Sequence, residues 1–104
     1  SLKQDYDGND QKLSEHFYVF VQNFLKLHSD KFAPGSSIMN RAFYLSGESH
    51  AGHYNSIYTN YILERNAALK QGDIHVNMRG AAIGNGWVDR YNQYAGAKAA
   101  FALG

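Results

Sequence analysis

The sequence predicts an α/β chain built around a parallel βαβ unit. Three observations lead there: a helical stripe over residues 11–28, two short apolar runs at 42–46 and 79–84, and a second helical period between those runs. Strand, helix and strand in that order join a parallel pair through a right-handed crossover. Eight Tyr, six Phe and a hydrophobic fraction of 44% supply a packed core and argue against disorder. At 104 residues the chain is one domain or a piece of one. A parallel pair needs both faces covered and further strands alongside, so the expected architecture is part of a larger doubly wound sheet.

Residues 1–10 are polar and read as a loop, with Asp10 placed to cap the helix that follows. From Gln11 to His28 the apolar residues Leu13, Phe17, Phe20, Val21, Phe24, Leu25 and Leu27 recur every three or four positions and form one wide stripe. Pro34, Gly35, Ser36 and Ser37 make residues 29–40 a connection. Ala42-Phe43-Tyr44-Leu45-Ser46 is too short for a helix and reads as a buried strand. From His53 to Lys70, Tyr54, Ile57, Tyr58, Tyr61, Ile62 and Leu63 share a helical face, with Gly72 as the stop. The tyrosines of that face read as core packing rather than a ligand site. Met78–Gly84 is the second strand, Asn85-Gly86 a tight turn, and the alanine-rich residues 91–103 a last helix.

Ten Lys and Arg stand against nine Asp and Glu, and no basic patch forms, so nucleic acid is not an expected partner. With no cysteine, disulfides, thiolate metal sites and a cysteine nucleophile are excluded. No apolar run approaches the roughly 18 residues of a membrane span. The polar start is no signal peptide, and the absence of an initial Met suggests a chain that is processed or cut from something longer.

Gly47-Glu48-Ser49-His50-Ala51 has the form G-x-S-x-A at a strand-to-helix turn, the context that the nucleophile elbow of α/β hydrolases requires. A serine in so sharp a turn needs small residues two positions before and after it, which Gly47 and Ala51 provide. The helix that starts there aims free amides at developing negative charge, and the His50 N–H would be one of two oxyanion donors. The plain alternative is an ordinary turn with Ser49 as a helix N-cap. His53 as a base, a metal held by His50 and His53, and Asp89 as a triad acid are weaker alternatives, because reach, a third ligand and position are each unfavourable.

Phe43-Tyr44-Leu45-Ser46-Gly47-Glu48-Ser49-His50-Ala51-Gly52-His53-Tyr54 resembles the active-serine segment of the serine carboxypeptidases, commonly F-Y-I-x-G-E-S-Y-A-G-H-Y. Gly80-Ala81-Ala82-Ile83-Gly84-Asn85-Gly86 is similar to that family's G-x-x-I-G-N-G strand and turn, so the resemblance covers most of the chain from residue 11 onward. The chain departs from the pattern at His50, where Tyr is usual, at Asn55, which follows Tyr54 where Ile-Pro is usual, and at Arg90, often Pro. The resemblance implies a fragment of an α/β-hydrolase fold, with residues 1–104 as one partial domain. It implies a serine-type carboxypeptidase with Ser49 as nucleophile, the His50 N–H as oxyanion donor and Glu48 holding the substrate's C-terminal carboxylate.

It further implies peptide or protein C-termini as substrates, no metal or organic cofactor, and a lysosomal, vacuolar or secreted location. The family's triad Asp and His fall beyond residue 104 in this register, and its W-x-N-G-G-P-G segment before residue 1. The remainder of the domain is therefore expected to be needed for activity. Acyltransferase chemistry on the same scaffold, or an inactive homologue that binds a partner through open sheet edges, are the competing expectations.

Overall fold

The computed structural model describes residues 9–28, 40–93 and 96–103. The polar start before Asn9, the loop around Pro34, and Tyr94 and Ala95 of the last predicted helix lie outside the described residues. In chain order the elements are α1 (Asp10–His28), β1 (Phe43–Glu48), α2 (Ala51–Ala67), β2 (Met78–Gly84), α3 (Arg90–Gln93) and α4 (Gly96–Leu103). β1 and β2 pair in parallel, with Tyr44 opposite Gly80 and Glu48 opposite Gly84, after an irregularity between Phe43 and Tyr44. α2 joins the two strands and packs on both, and α1 packs on α2. The predicted βαβ unit is present.

The core is small: Tyr18, Val21 and Leu25 from α1 meet Ile62 of α2 and Val76, with Phe43, Leu45, Ile74 and Met78 around them. α1 is turned differently from the expected stripe. It buries Ser14, Tyr18, Val21, Gln22 and Leu25, while Phe20 and Leu27 are 61% and 69% exposed. Polar residues occupy the inner row because each has a fixed partner. The Ser14 hydroxyl donates to the Asp10 carbonyl at 2.8 Å. Gln22 exchanges two hydrogen bonds with the Ile74 backbone, Nε2 to the carbonyl and Oε1 from the N–H, both at 2.7 Å. Asn66 of α2 does the same for Val76, at 2.7 and 3.0 Å. Two carboxamides thus serve residues 74–76 as a neighbouring strand would, satisfying backbone groups that burial would otherwise leave costly.

Other expectations shift in detail. Asn9, not Asp10, caps α1, its Oδ1 accepting from the Lys12 N–H at 2.8 Å. β1 is buried on one face only: Phe43, Leu45 and Gly47 are half-buried while Tyr44, Ser46 and Glu48 are exposed, the alternation that a period of two imposes. α2 starts two residues early and stops at Ala67, where the Ala68 N–H closes the last turn onto Glu64 and Arg65. Gly72, at φ +86°, belongs to the next turn, which the Asp73 N–H closes onto Lys70. The tyrosines of α2 are half-buried: Tyr58 lies on Phe17 of α1 with ring centroids 4.4 Å apart, Tyr61 meets Tyr18 edge-on, and Tyr54 stacks on Tyr58.

A polar cluster ties this layer together. The Asp73 carboxylate accepts from Arg65 Nη2 at 2.8 Å and from the Tyr18 hydroxyl at 3.3 Å, and the guanidinium lies over the Tyr18 ring. Partial burial pushes the Asp73 carboxyl up, but the bonds from Arg65 and Tyr18 outweigh it and hold it below the ordinary aspartate value. A carboxyl depressed in the folded state contributes stability above its unfolded pKa and loses it as pH falls through the folded one. Asp73→Asn is therefore expected to lower the urea midpoint near neutral pH, with the gap to wild type closing as pH drops below about 3.9. A gap that persists unchanged in acid contradicts this.

Candidate active site

β1 runs straight into α2 through Ser49 and His50, and the turn is made by backbone. Ser49 has φ +57°, the left-handed region that an L side chain rarely adopts. Both of its backbone groups are tied down. Its N–H donates to the Gly84 carbonyl at the end of β2 at 3.0 Å, and its carbonyl accepts from Gly52 N–H at 3.0 Å and Trp87 N–H at 2.8 Å. His50 is the helix N-cap and makes no side-chain capping bond, so the reading of Ser49 as an ordinary cap finds no support.

The turn requires near-absent side chains at two places. A Cβ on Gly47 would lie 2.4 Å from the Ala51 Cβ, which explains the small pair on either side of Ser49. At Gly52 a Cβ would lie 2.9 Å from the Trp87 nitrogen and 3.0 Å from the Gly86 Cα. The start of α2 and the loop after β2 touch backbone to backbone. That loop begins with Asn85 at φ +45°, a conformation that Asn tolerates better than most residues.

An open depression of about 450 Å³ lies at this junction, lined by Ser49, His50, Asn85, Gly86, Trp87 and Gln93. The His50 ring faces Trp87 with centroids 5.0 Å apart and meets Tyr54 edge-on at 4.7 Å. Among the described residues neither the Ser49 hydroxyl nor the His50 N–H makes a hydrogen bond. Glu48 ends β1 exposed, on the same face as its partner Gly84, and does not line the depression.

The weaker alternatives separate. His53 Nε2 lies 3.0 Å from Asp10 Oδ2, on the side of α1 and outside the depression. No group of three metal-ligating side chains forms among the described residues. Asp89 caps α3, accepting from the N–H groups of Tyr91 and Asn92 at 3.0 and 3.2 Å, and bonds from Asn92 hold its carboxyl below the ordinary range. A larger groove of about 630 Å³ between α1 and α2 includes Ser14 and Ser56, but both hydroxyls donate to helix carbonyls. Trp87 and Gln93 are site residues that the sequence analysis does not single out. Gln93 stands one residue beyond the capping-box position after Asp89, which Asn92 fills, so no local pattern marks it.

The serine carboxypeptidase family model matches residues 1–103. The chain belongs to the serine carboxypeptidase family. A serine carboxypeptidase family member from Dictyostelium discoideum is 38% identical over 90 residues, covering 84% of this chain and 15% of that protein. A pheromone-processing carboxypeptidase from Phytophthora infestans is 34% identical over 102 residues, covering 96% and 17%. The crystal structure of a prohormone-processing carboxypeptidase from Saccharomyces cerevisiae aligns with TM-score 0.73 at 30% identity, covering 97% of this chain and 19% of that one. The expected fold class holds: these elements are part of an α/β-hydrolase fold, and the chain spans less than a fifth of the relatives it matches. Among the described residues no helix is long and apolar enough to cross a membrane.

The elbow geometry makes two opposite predictions for this carboxypeptidase segment. Gly47→Ala forces a methyl onto Ala51 and is expected to cost about 1–3 kcal/mol. Ser49→Gly releases the left-handed backbone and is expected to add about 1 kcal/mol. Urea unfolding midpoints measure both, and a destabilised Ser49→Gly contradicts the strain.

Proposed function

We infer that this chain is the nucleophile-bearing part of a serine carboxypeptidase that releases C-terminal residues from peptides and proteins through an acyl-enzyme on Ser49. The observation that carries the reading is Ser49 at φ +57° on a strand-to-helix turn, its hydroxyl uncommitted at an open depression. In this reading residues 1–104 are one part of a single α/β-hydrolase domain.

Ser49 Oγ attacks the scissile carbonyl carbon while a base takes the hydroxyl proton. The carbonyl oxygen becomes an oxyanion facing the His50 N–H, at the positive end of α2. Collapse breaks the C–N bond, and the C-terminal amino acid leaves as an amine carrying that proton. Water then hydrolyses the Ser49 ester by the same steps in reverse. In this reading the base and its orienting acid come from elsewhere in the domain, His53 being paired with Asp10. No metal or organic cofactor takes part in these steps.

Glu48 follows the backbone of β1 to the edge of the site, where its carboxyl meets the substrate's terminal carboxylate. Two carboxyl groups share a hydrogen bond only while one keeps its proton, so this contact favours acidic pH. That suits a lysosomal, vacuolar or secreted setting.

The test is release of the terminal residue from a blocked dipeptide by the full-length protein. Ser49→Ala is expected to reduce kcat by about four orders of magnitude or more. Glu48→Gln keeps a donor at all pH values, so its KM is expected to rise less with pH than that of wild type. Undiminished turnover by Ser49→Ala overturns the reading.

A further inference from the structure

The geometry points to Gln93 as a positioning residue for the oxyanion donor, an inference that rests on the role proposed for Ser49 and His50. Gln93 is exposed on the single-turn helix α3, yet its carboxamide grips one stretch of backbone. Its Oε1 accepts from the N–H groups of Val88 and Asp89, each at 2.8 Å, and its Nε2 donates to the Gly86 carbonyl at 2.8 Å. A carboxamide carries an acceptor with two lone pairs and a donor on one rigid plane, which fits this demand without distortion. All three bonds end on the loop that follows β2.

Inside that loop is Trp87, whose N–H donates to the Ser49 carbonyl at 2.8 Å. The Ser49 carbonyl and the His50 N–H belong to one planar trans peptide and point in opposite directions from it. Whatever fixes the carbonyl therefore aims the N–H. Gln93 holds the loop, the loop holds Trp87 N–H, Trp87 holds the Ser49 carbonyl, and the far side of the same peptide presents its donor to the oxyanion. The carbonyl's second bond, from Gly52 N–H, comes from α2 itself and cannot set the peptide against β2.

An oxyanion exists only during reaction, so loss of this control lowers kcat and leaves KM nearly unchanged. In the full-length protein acting on a blocked dipeptide, Gln93→Ala is expected to lose on the order of 10- to 100-fold in kcat, with KM within about twofold. Gln93→Glu provides a readout that general loosening would not. Its protonated carboxyl accepts and donates as the amide does, whereas its carboxylate cannot donate to Gly86. Its kcat relative to wild type is expected to approach one near pH 4 and to fall to the Gln93→Ala level by roughly pH 7. Tyr91→Ala, an exposed change on the same helix, is expected to match wild type.

A pH-independent Gln93→Glu ratio, a fall carried by KM alone, or an equal loss in Tyr91→Ala overturns the inference. Should Gln93→Ala fail to fold, the pH profile of Gln93→Glu decides alone. A wild type that releases no terminal residue sinks the functional reading, and this inference with it. An active wild type matched by Gln93→Ala sinks the inference by itself.

Discussion

Everything at the site hangs on one residue whose backbone is held from three sides. Ser49 sits at φ +57°, a conformation that costs an L residue on the order of 1–3 kcal/mol and persists only where the surroundings over-determine it. Here they do. Gly84 takes its N–H, and Gly52 and Trp87 supply donors to its carbonyl. β1, β2 and α2 converge on a single residue, and the loop after β2 closes the ring. The bare Gly52 is the steric condition for that convergence, since a Cβ there would press on the Trp87 nitrogen and the Gly86 Cα and part α2 from the loop.

The same economy recurs away from the site. Three carboxamides act as short pieces of sheet. Gln22 and Asn66 pair with residues 74 and 76, and Gln93 pairs with the loop after β2. Each meets backbone that the β1–β2 ladder does not reach, and each does so with a donor and an acceptor together. Asn55 behaves differently. It is buried against Gly47 with its Nδ2 unpartnered among the described residues. An unpaired buried donor costs roughly 1–3 kcal/mol.

The parts of this architecture legible in the sequence are those that periodicity and local sterics control. The helix at 11–28, both strands and the crossover helix were readable, because apolar spacing reports secondary structure directly. The glycine and alanine flanking Ser49 were readable because a sharp turn excludes side chains wherever it occurs. The inward row of α1 was not. A stripe of phenylalanines says that a face is apolar, but not which part of it meets α2 and which awaits other surfaces. Ser14 and Gln22 entered the core through partners on remote backbone, which no local pattern reveals. Gln93 stayed hidden for the same reason: its role lies in groups five and seven residues away in chain but adjacent in space.

In the proposed function the backbone around Ser49 presents its hydroxyl, and a base elsewhere in the domain makes it the nucleophile. The most direct measurement treats the full-length protein with a fluorophosphonate, then reads the intact mass and maps the modified peptide. One adduct on the peptide carrying Ser49, absent after prior denaturation, is the predicted result. An adduct on another serine, or none on a protein that still releases terminal residues, contradicts the account.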